Sequence, residues 1–104
     1  FSAIFDSAKP VTLTGTVTRL EWMNPHTWIY LDVKTDDGKV EAWAFEMGSP
    51  NRLMRYGWSQ NSLPTGATVT ITGSQARDGS TKAAVDTVAL PDGKRLFGAQ
   101  DASQ

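Results

Sequence analysis

Apolar and polar residues alternate with period two over much of the chain. Over residues 11–18, Val11, Leu13 and Val17 share one face with Gly15, and Thr12, Thr14, Thr16 and Thr18 share the other. Leu20 and Trp22 then carry the apolar set onto the opposite parity, so the pattern predicts a bulge or sharp coil near Arg19. A long first strand, bent so that it serves two sheet surfaces, is what a small closed barrel requires. Gly15 in mid-strand marks the bend. Residues 1–10 read as a lead-in that Ile4 and Phe5 can pin to the body, with Pro10 opening the strand.

Asn24-Pro25 starts a turn over residues 23–26. A second strand follows over 27–34, and a third returns antiparallel over 39–47 after an Asp-Gly turn. With Asp37 and Gly38 as a two-residue loop, Val33 faces Ala42 and Leu31 faces Ala44. On the other face Lys34 meets Glu41, Asp32 meets Trp43, Tyr30 meets Phe45, and Trp28 meets Met47. The opposite charges of Lys34 and Glu41 suit that pairing. This register predicts one aliphatic face of small residues and one aromatic face built from Trp28, Tyr30, Trp43 and Phe45.

Residues 49–58 read as a short helix with both ends marked. Ser49 suits the N-cap and Pro50 the first helical position. Gly57 suits the left-handed C′ position, and Trp58 can then pack back on Leu53 or Met54. Leu53 and Tyr56 are expected to face the body, with Arg52 and Arg55 outward. Two further alternating strands, 67–74 and 81–90, flank an Asp78-Gly79 turn. Pro91 to Arg95 turn the chain again, Leu96 and Phe97 offer a last anchor, and a loose tail begins at Gly98. A short helix between strands three and four of a five-stranded Greek-key barrel is the plan of the OB-fold. The reading is therefore all-β, with residues 1–104 as one OB-like barrel domain. A small sandwich and an SH3-like barrel rank below it, the latter because it usually lacks that helix.

Length and composition narrow the chemistry. A chain of 104 residues fits one domain with one modest core. With hydrophobic residues at 39% and charged ones at 20%, disorder throughout is excluded. Ten basic against eleven acidic residues give a formal net charge of -1, which leaves no nucleic-acid footprint. Cysteine is absent, so disulfides, thiolate catalysis and Cys-based metal sites are excluded. No apolar run is long enough for a membrane-spanning helix. The start at Phe1 rather than Met suggests a processed or trimmed N-terminus.

The densest polar and aromatic segment is Glu21 to Tyr30, and it holds the single histidine, His26. A turn imidazole ordinarily fixes its own loop through a backbone carbonyl. It is also the natural ligand for a small molecule or a metal. Met23, His26 and Met47 are together the residue types that bind Cu(I), whereas methionine is more often core filler. The aromatic set Trp28, Tyr30, Trp43 and Phe45 is either core or a partly exposed platform for an apolar ligand or a partner protein. Nothing sets two of Glu21, Asp32, Glu41 and Glu46 across a cleft for paired-carboxylate chemistry. Asp36, Asp37, Asp78 and Asp92 are turn residues. No Ser–His–Asp arrangement, phosphate loop or dinucleotide fingerprint is present.

Residues 10–32 (PVTLTGTVTRLEWMNPHTWIYLD), 43–58 (WAFEMGSPNRLMRYGW) and 66–79 (GATVTITGSQARDG) resemble a family of small exported bacterial proteins catalogued as a domain of unknown function. The likeness spans roughly residues 3 to 97, and its specific part is NPH combined with FEMGSPNRL and the later Asp-Gly turns. Members usually carry a signal peptide and then a His-His-Ser-Phe-like start, whereas this chain begins Phe1-Ser2. The resemblance implies an exported protein, periplasmic or extracellular, with an OB-type barrel, and it makes a histidine pair ahead of Phe1 the natural partner of His26. It brings no activity with it.

The leading reading is a non-enzymatic exported module that binds a small apolar ligand or a partner protein through His26, Trp28, Tyr30, Trp43 and Phe45, without a required cofactor. The alternatives are a periplasmic copper-binding protein using Met23, His26 and Met47, and a self-associating subunit that joins its neighbours by strand addition.

Overall fold

The computed structural model describes residues 4–99. Residues 1–3 of the expected lead-in and residues 100–104 of the tail expected from Gly98 lie outside them. In chain order the elements are β1 (Phe5–Glu21), β2 (Trp28–Lys34), β3 (Val40–Glu46), α1 (Pro50–Arg55), β4 (Thr68–Ala76), β5 (Lys82–Ala89) and β6 (Arg95–Phe97). β1 thus begins well before the expected Pro10, because Phe5 pairs with Ala76 and is buried with Ala76 and Ala84 in a small satellite core.

The strands are ordered β3-β2-β1-β4-β5-β6, and β3 also pairs with β5, which closes a five-stranded ring from which β6 hangs. All pairings are antiparallel except β3–β5, which is parallel and short: Ala44, Phe45 and Glu46 opposite Lys82, Ala83 and Ala84. Together with the helix between β3 and β4, this is the OB-type plan expected from the pattern.

β1 serves both halves of the ring. Residues up to Thr16 pair with β4, and Thr16 to Glu21 pair with β2. The register shifts between Val17 and Arg19, where the parity change predicts a bulge. Val17 and Leu20 consequently both turn inward, opposite Leu31 and Ile29. At the crossing, a Cβ on Gly15 would stand 2.5 Å from the Asp32 carbonyl oxygen, so a residue without a side chain permits the close approach.

The β2–β3 register corrects the expected one. Thr35 N–H donates to the Lys39 carbonyl (2.8 Å) and Gly38 N–H to the Thr35 carbonyl (2.9 Å), which encloses Asp36, Asp37 and Gly38 in a three-residue loop with Gly38 at φ 84°. A left-handed glycine closing a three-residue loop is as good a hairpin as a two-residue Asp-Gly turn. The extra loop residue slips the pairing by one, so Val33 faces Glu41, Leu31 faces Trp43, Ile29 faces Phe45, and Trp28 faces Glu46. A one-residue slip exchanges the faces of one strand relative to the other. Trp43, Phe45 and Met47 therefore join Ile29, Leu31 and Val33 in the core, with the Trp43 and Phe45 rings stacked at 5.9 Å. The single aromatic face does not form. Lys34 sits opposite Val40, and Glu41 instead accepts a hydrogen bond from Trp43 Nε1 (3.0 Å).

Helix α1 has both expected caps. Ser49 Oγ accepts from Arg52 N–H, and Pro50 opens the first turn. At the other end Trp58 N–H donates to the Leu53 carbonyl (3.0 Å) and Gly57 N–H to Met54 (3.2 Å), with Gly57 at φ 93°. This is the paired-bond C-terminal motif that places a hydrophobic C″ residue against the helix. Leu53 and Trp58 are buried, but Tyr56, expected to face the body, is 51% exposed. A C-terminal strap runs past this helix. Gly98 N–H donates to Asp86 and its carbonyl accepts from Gly48 N–H, the Phe97 carbonyl accepts from Trp58 Nε1 (2.8 Å), and the Ala99 carbonyl accepts from Arg52 Nε.

Candidate functional site

The outer face of the ring beside the β1–β2 turn gathers what the sequence singled out and what it did not. Three rows cross the sheet there. Glu21, Trp28 and Glu46 form the first, running β1, β2, β3. Arg19, Tyr30, Ala44 and Lys82 form the second and extend it across the parallel seam to β5. Thr16, Asp32 and Ala42 form the third.

His26 follows the cis Asn24–Pro25 peptide at the edge of the first row. Its Nδ1 lies 3.0 Å from Glu46 Oε2, with both side chains largely covered. A carboxylate only accepts, so Nδ1 carries the hydrogen of this bond. The turn is held onto β3 by two backbone bonds, Met47 N–H to the Thr27 carbonyl (2.8 Å) and Thr27 N–H to the Gly48 carbonyl (3.1 Å). The imidazole thus engages a side-chain carboxylate on the neighbouring strand. Thr27 is fully buried, and its hydroxyl has no partner among the described residues.

Trp28 is half-buried between the two glutamates of its row. In the second row Tyr30 Oη donates to Glu21 Oε1 (3.0 Å), Arg19 Nη2 bridges to Glu21 Oε2 (2.5 Å), and the Arg19 guanidinium lies 5.7 Å from the Tyr30 ring centre. Burial raises the Tyr30 phenol above its ordinary pKa, the Glu21 hydrogen bond and charge add to the rise, and Arg19 opposes it. The phenol therefore stays a donor across the neutral range.

At Ala42 and Ala44 β3 contributes only methyl groups, whereas Arg19, Tyr30 and Lys82 beside Ala44 carry large side chains. Ala42 and Ala44 consequently floor a groove of about 450 Å³, walled by Arg19 and Tyr30 on one side and by Thr81 and Lys82 on the other. Stacking on half-covered rings, hydrogen bonding at the two carboxylates and ion pairing at Arg19 and Lys82 are the chemistry this surface offers.

Of the five residues expected to bind, His26, Trp28 and Tyr30 lie on this face, whereas Trp43 and Phe45 lie in the core. The three soft-metal candidates are divided: Met47 is 0% exposed in the core, Met23 is 52% exposed, and His26 engages Glu46. Among the described residues no three His, Asp or Glu side chains gather to hold a metal ion. No helix of the described residues is long and apolar enough to cross a membrane. Arg19, Glu46, Thr81 and Lys82 were not legible as site residues. The available signal was parity, since pairing the large apolar residues of β2 with those of β3 turns Glu46 outward beside Trp28.

No curated protein and no solved structure matches the chain. Residues 1–85 match the model of a family described as a family of unknown function (DUF6152), and the chain belongs to that family.

Proposed function

We propose that the chain is a non-enzymatic exported binding module that receives a small amphipathic ligand, or a segment of a partner protein, on the outer face of β2 and β3. The observation that carries this reading is the groove over Ala42 and Ala44, which joins Tyr30 and Arg19 to Thr81 and Lys82 across four strands. By analogy of fold, OB barrels take ligands on this face, between the β1–β2 and β4–β5 connections. Those connections here carry His26 and Thr81. The exported location rests on the family resemblance, and fractionation of cells expressing the natural gene tests it.

The binding reading is tested with 8-anilinonaphthalene-1-sulfonate, whose rings suit an alanine floor and whose sulfonate suits Arg19 and Lys82. The expected result is a saturable fluorescence rise with the native protein that Ala44→Arg abolishes while leaving the melting temperature in place. Because the dye also binds loosened states, the near-UV circular dichroism must stay native during the titration. An equal rise with Ala44→Arg, or none with the native protein, refutes the reading.

A further inference from the structure

The groove is bordered by an open strand edge. Thr35 pairs with Lys39, and Thr27 with Met47, through backbone bonds. Bonded pairs alternate along an antiparallel ladder, so the odd-numbered residues of β3 turn their N–H and C=O groups toward β2. The even-numbered residues turn theirs the other way, toward β5. Ala44 N–H accordingly donates to the Thr81 carbonyl (3.1 Å). Pairing on that side begins at Ala44 and runs to Glu46. Before Ala44 the chain that would continue β5 is the Asp78–Thr81 turn, which lies outside the β3–β5 ladder. Among the described residues, nothing pairs with the outward backbone groups of Val40 and Ala42. Val40 is 61% exposed.

An unpaired edge beside a groove is the geometry of strand addition, in which backbone bonds give affinity and alternate side chains enter pockets. A strand laid along Val40 and Ala42 places every second side chain on the outer face next to Ala42. The alanine methyls leave a path from there over β3 to Tyr30 and Arg19, and Lys82 stands at the end of the added strand. Arg19 retains 66% side-chain exposure despite its bridge to Glu21. Two cations on the rim select a carboxylate. A second copy of this chain fits poorly, because pairing β3 with its own symmetry mate through Val40 and Ala42 sets Glu41 directly opposite Glu41, and like charges in that position destabilise.

Resting on the groove as the binding face, we infer that its occupant is an extended peptide segment of a partner protein, added as a strand at Val40–Ala42, with an acidic side chain lying in the groove between Lys82 and Arg19.

The probe is the peptide acetyl-Thr-Val-Glu-Val-Thr-amide, compared with analogues bearing Gln or Lys at the centre and followed by amide resonances of the ¹⁵N-labelled protein. The expected result is a shift and slowed exchange of the Val40 and Ala42 amides, with affinity falling in the order Glu, Gln, Lys, and with Lys82→Glu reversing that order. Ala42→Pro removes one outward N–H without breaking a ladder bond, a position where an edge strand tolerates proline. It should weaken the Glu peptide by about tenfold or more. Should Ala42→Pro not fold, peptides N-methylated at alternate residues make the same test from the other partner, and one of the two methylation phases should abolish binding. Equal affinity of the three peptides, or binding insensitive to both backbone changes, overturns the inference. Dye binding without any peptide binding overturns it and leaves the groove reading standing, whereas the absence of both removes the two together. A dimer protected at Val40 and Ala42 without peptide overturns it in favour of self-pairing.

Discussion

Replacing Thr27 with valine should stabilise the protein. Thr27 is fully buried, yet its hydroxyl meets no hydrogen-bond partner among the described residues, while its backbone N–H and carbonyl are both engaged by the Met47–Gly48 stretch. A buried hydroxyl left unpaired costs about 1–3 kcal/mol, the desolvation it suffers without a replacement bond. Valine has the same branched shape, keeps both backbone bonds, and exchanges the hydroxyl for a methyl that gains from burial. The expected gain is about 1–2 kcal/mol. For a domain of this size the unfolding entropy is about 0.2 kcal/mol/K, so the melting temperature should rise by about 5–9 °C. Calorimetry of the wild type, Thr27→Val and Thr27→Ser reads this directly. The serine variant keeps the hydroxyl and loses the methyl, so it should fall below the wild type. A valine variant that melts at or below the wild-type temperature refutes the reasoning and means that the hydroxyl has a partner in solution.

Gly15→Ala should destabilise by about 1–3 kcal/mol, because its Cβ would meet the Asp32 backbone oxygen at 2.5 Å and neither strand can give way without loosening the crossing. A urea midpoint equal to the wild type's contradicts this. The tyrosinate absorbance lost in Tyr30→Phe should titrate above the ordinary phenol range, with Glu21→Gln bringing it part of the way back, since burial is the larger cause. The stability due to the neutral phenol is complete below the ordinary phenol pKa and is lost as pH rises through the folded value; a midpoint at or below the ordinary one defeats the assignment. Asp37 is held below the usual carboxylate range first by the Thr35 hydroxyl and then by Lys39 N–H. Its contribution is present above the ordinary carboxylate pKa and lost as pH falls through the folded one, so Asp37→Asn should flatten the acid limb of the stability curve, and an unchanged limb removes Asp37 from it.

Local features were legible where one residue type has one physical role. The parity change at Leu20 and Trp22 located the bulge opposite Tyr30, and Ser49, Pro50, Gly57 and Trp58 bounded the helix. The hairpin register was not, because Asp36-Asp37-Gly38 satisfies a two-residue or a three-residue loop and both place Gly38 at positive φ. The decision between them is made outside the loop. Burying Trp43, Phe45 and Met47 against Ile29, Leu31 and Val33 removes far more apolar surface from water than setting Ala42 and Ala44 against the same residues. The same slip decided the site: it withdrew two aromatic rings and Met47 into the core and brought Glu46 onto the face where His26 meets it. Tyr56 escaped a pattern reading for another reason. It is the cap residue at φ -102°, where helical periodicity no longer fixes direction.

The C-terminal strap sets the limits of the unit that can be cut out and studied. The family match ends at Val85, but a chain severed there loses the second half of β5 and all of β6, and with them Val88 and Leu96 from the core. It also strands the buried Gly48 N–H and Trp58 Nε1, whose acceptors are the Gly98 and Phe97 carbonyls. Gly48 begins the run into α1 and supports Thr27 in the histidine turn, so fragments ending at residue 85 should be insoluble or unfolded, whereas those that retain Ala99 should keep the turn. The hydrophobic core reaches past the stretch that matches the family model.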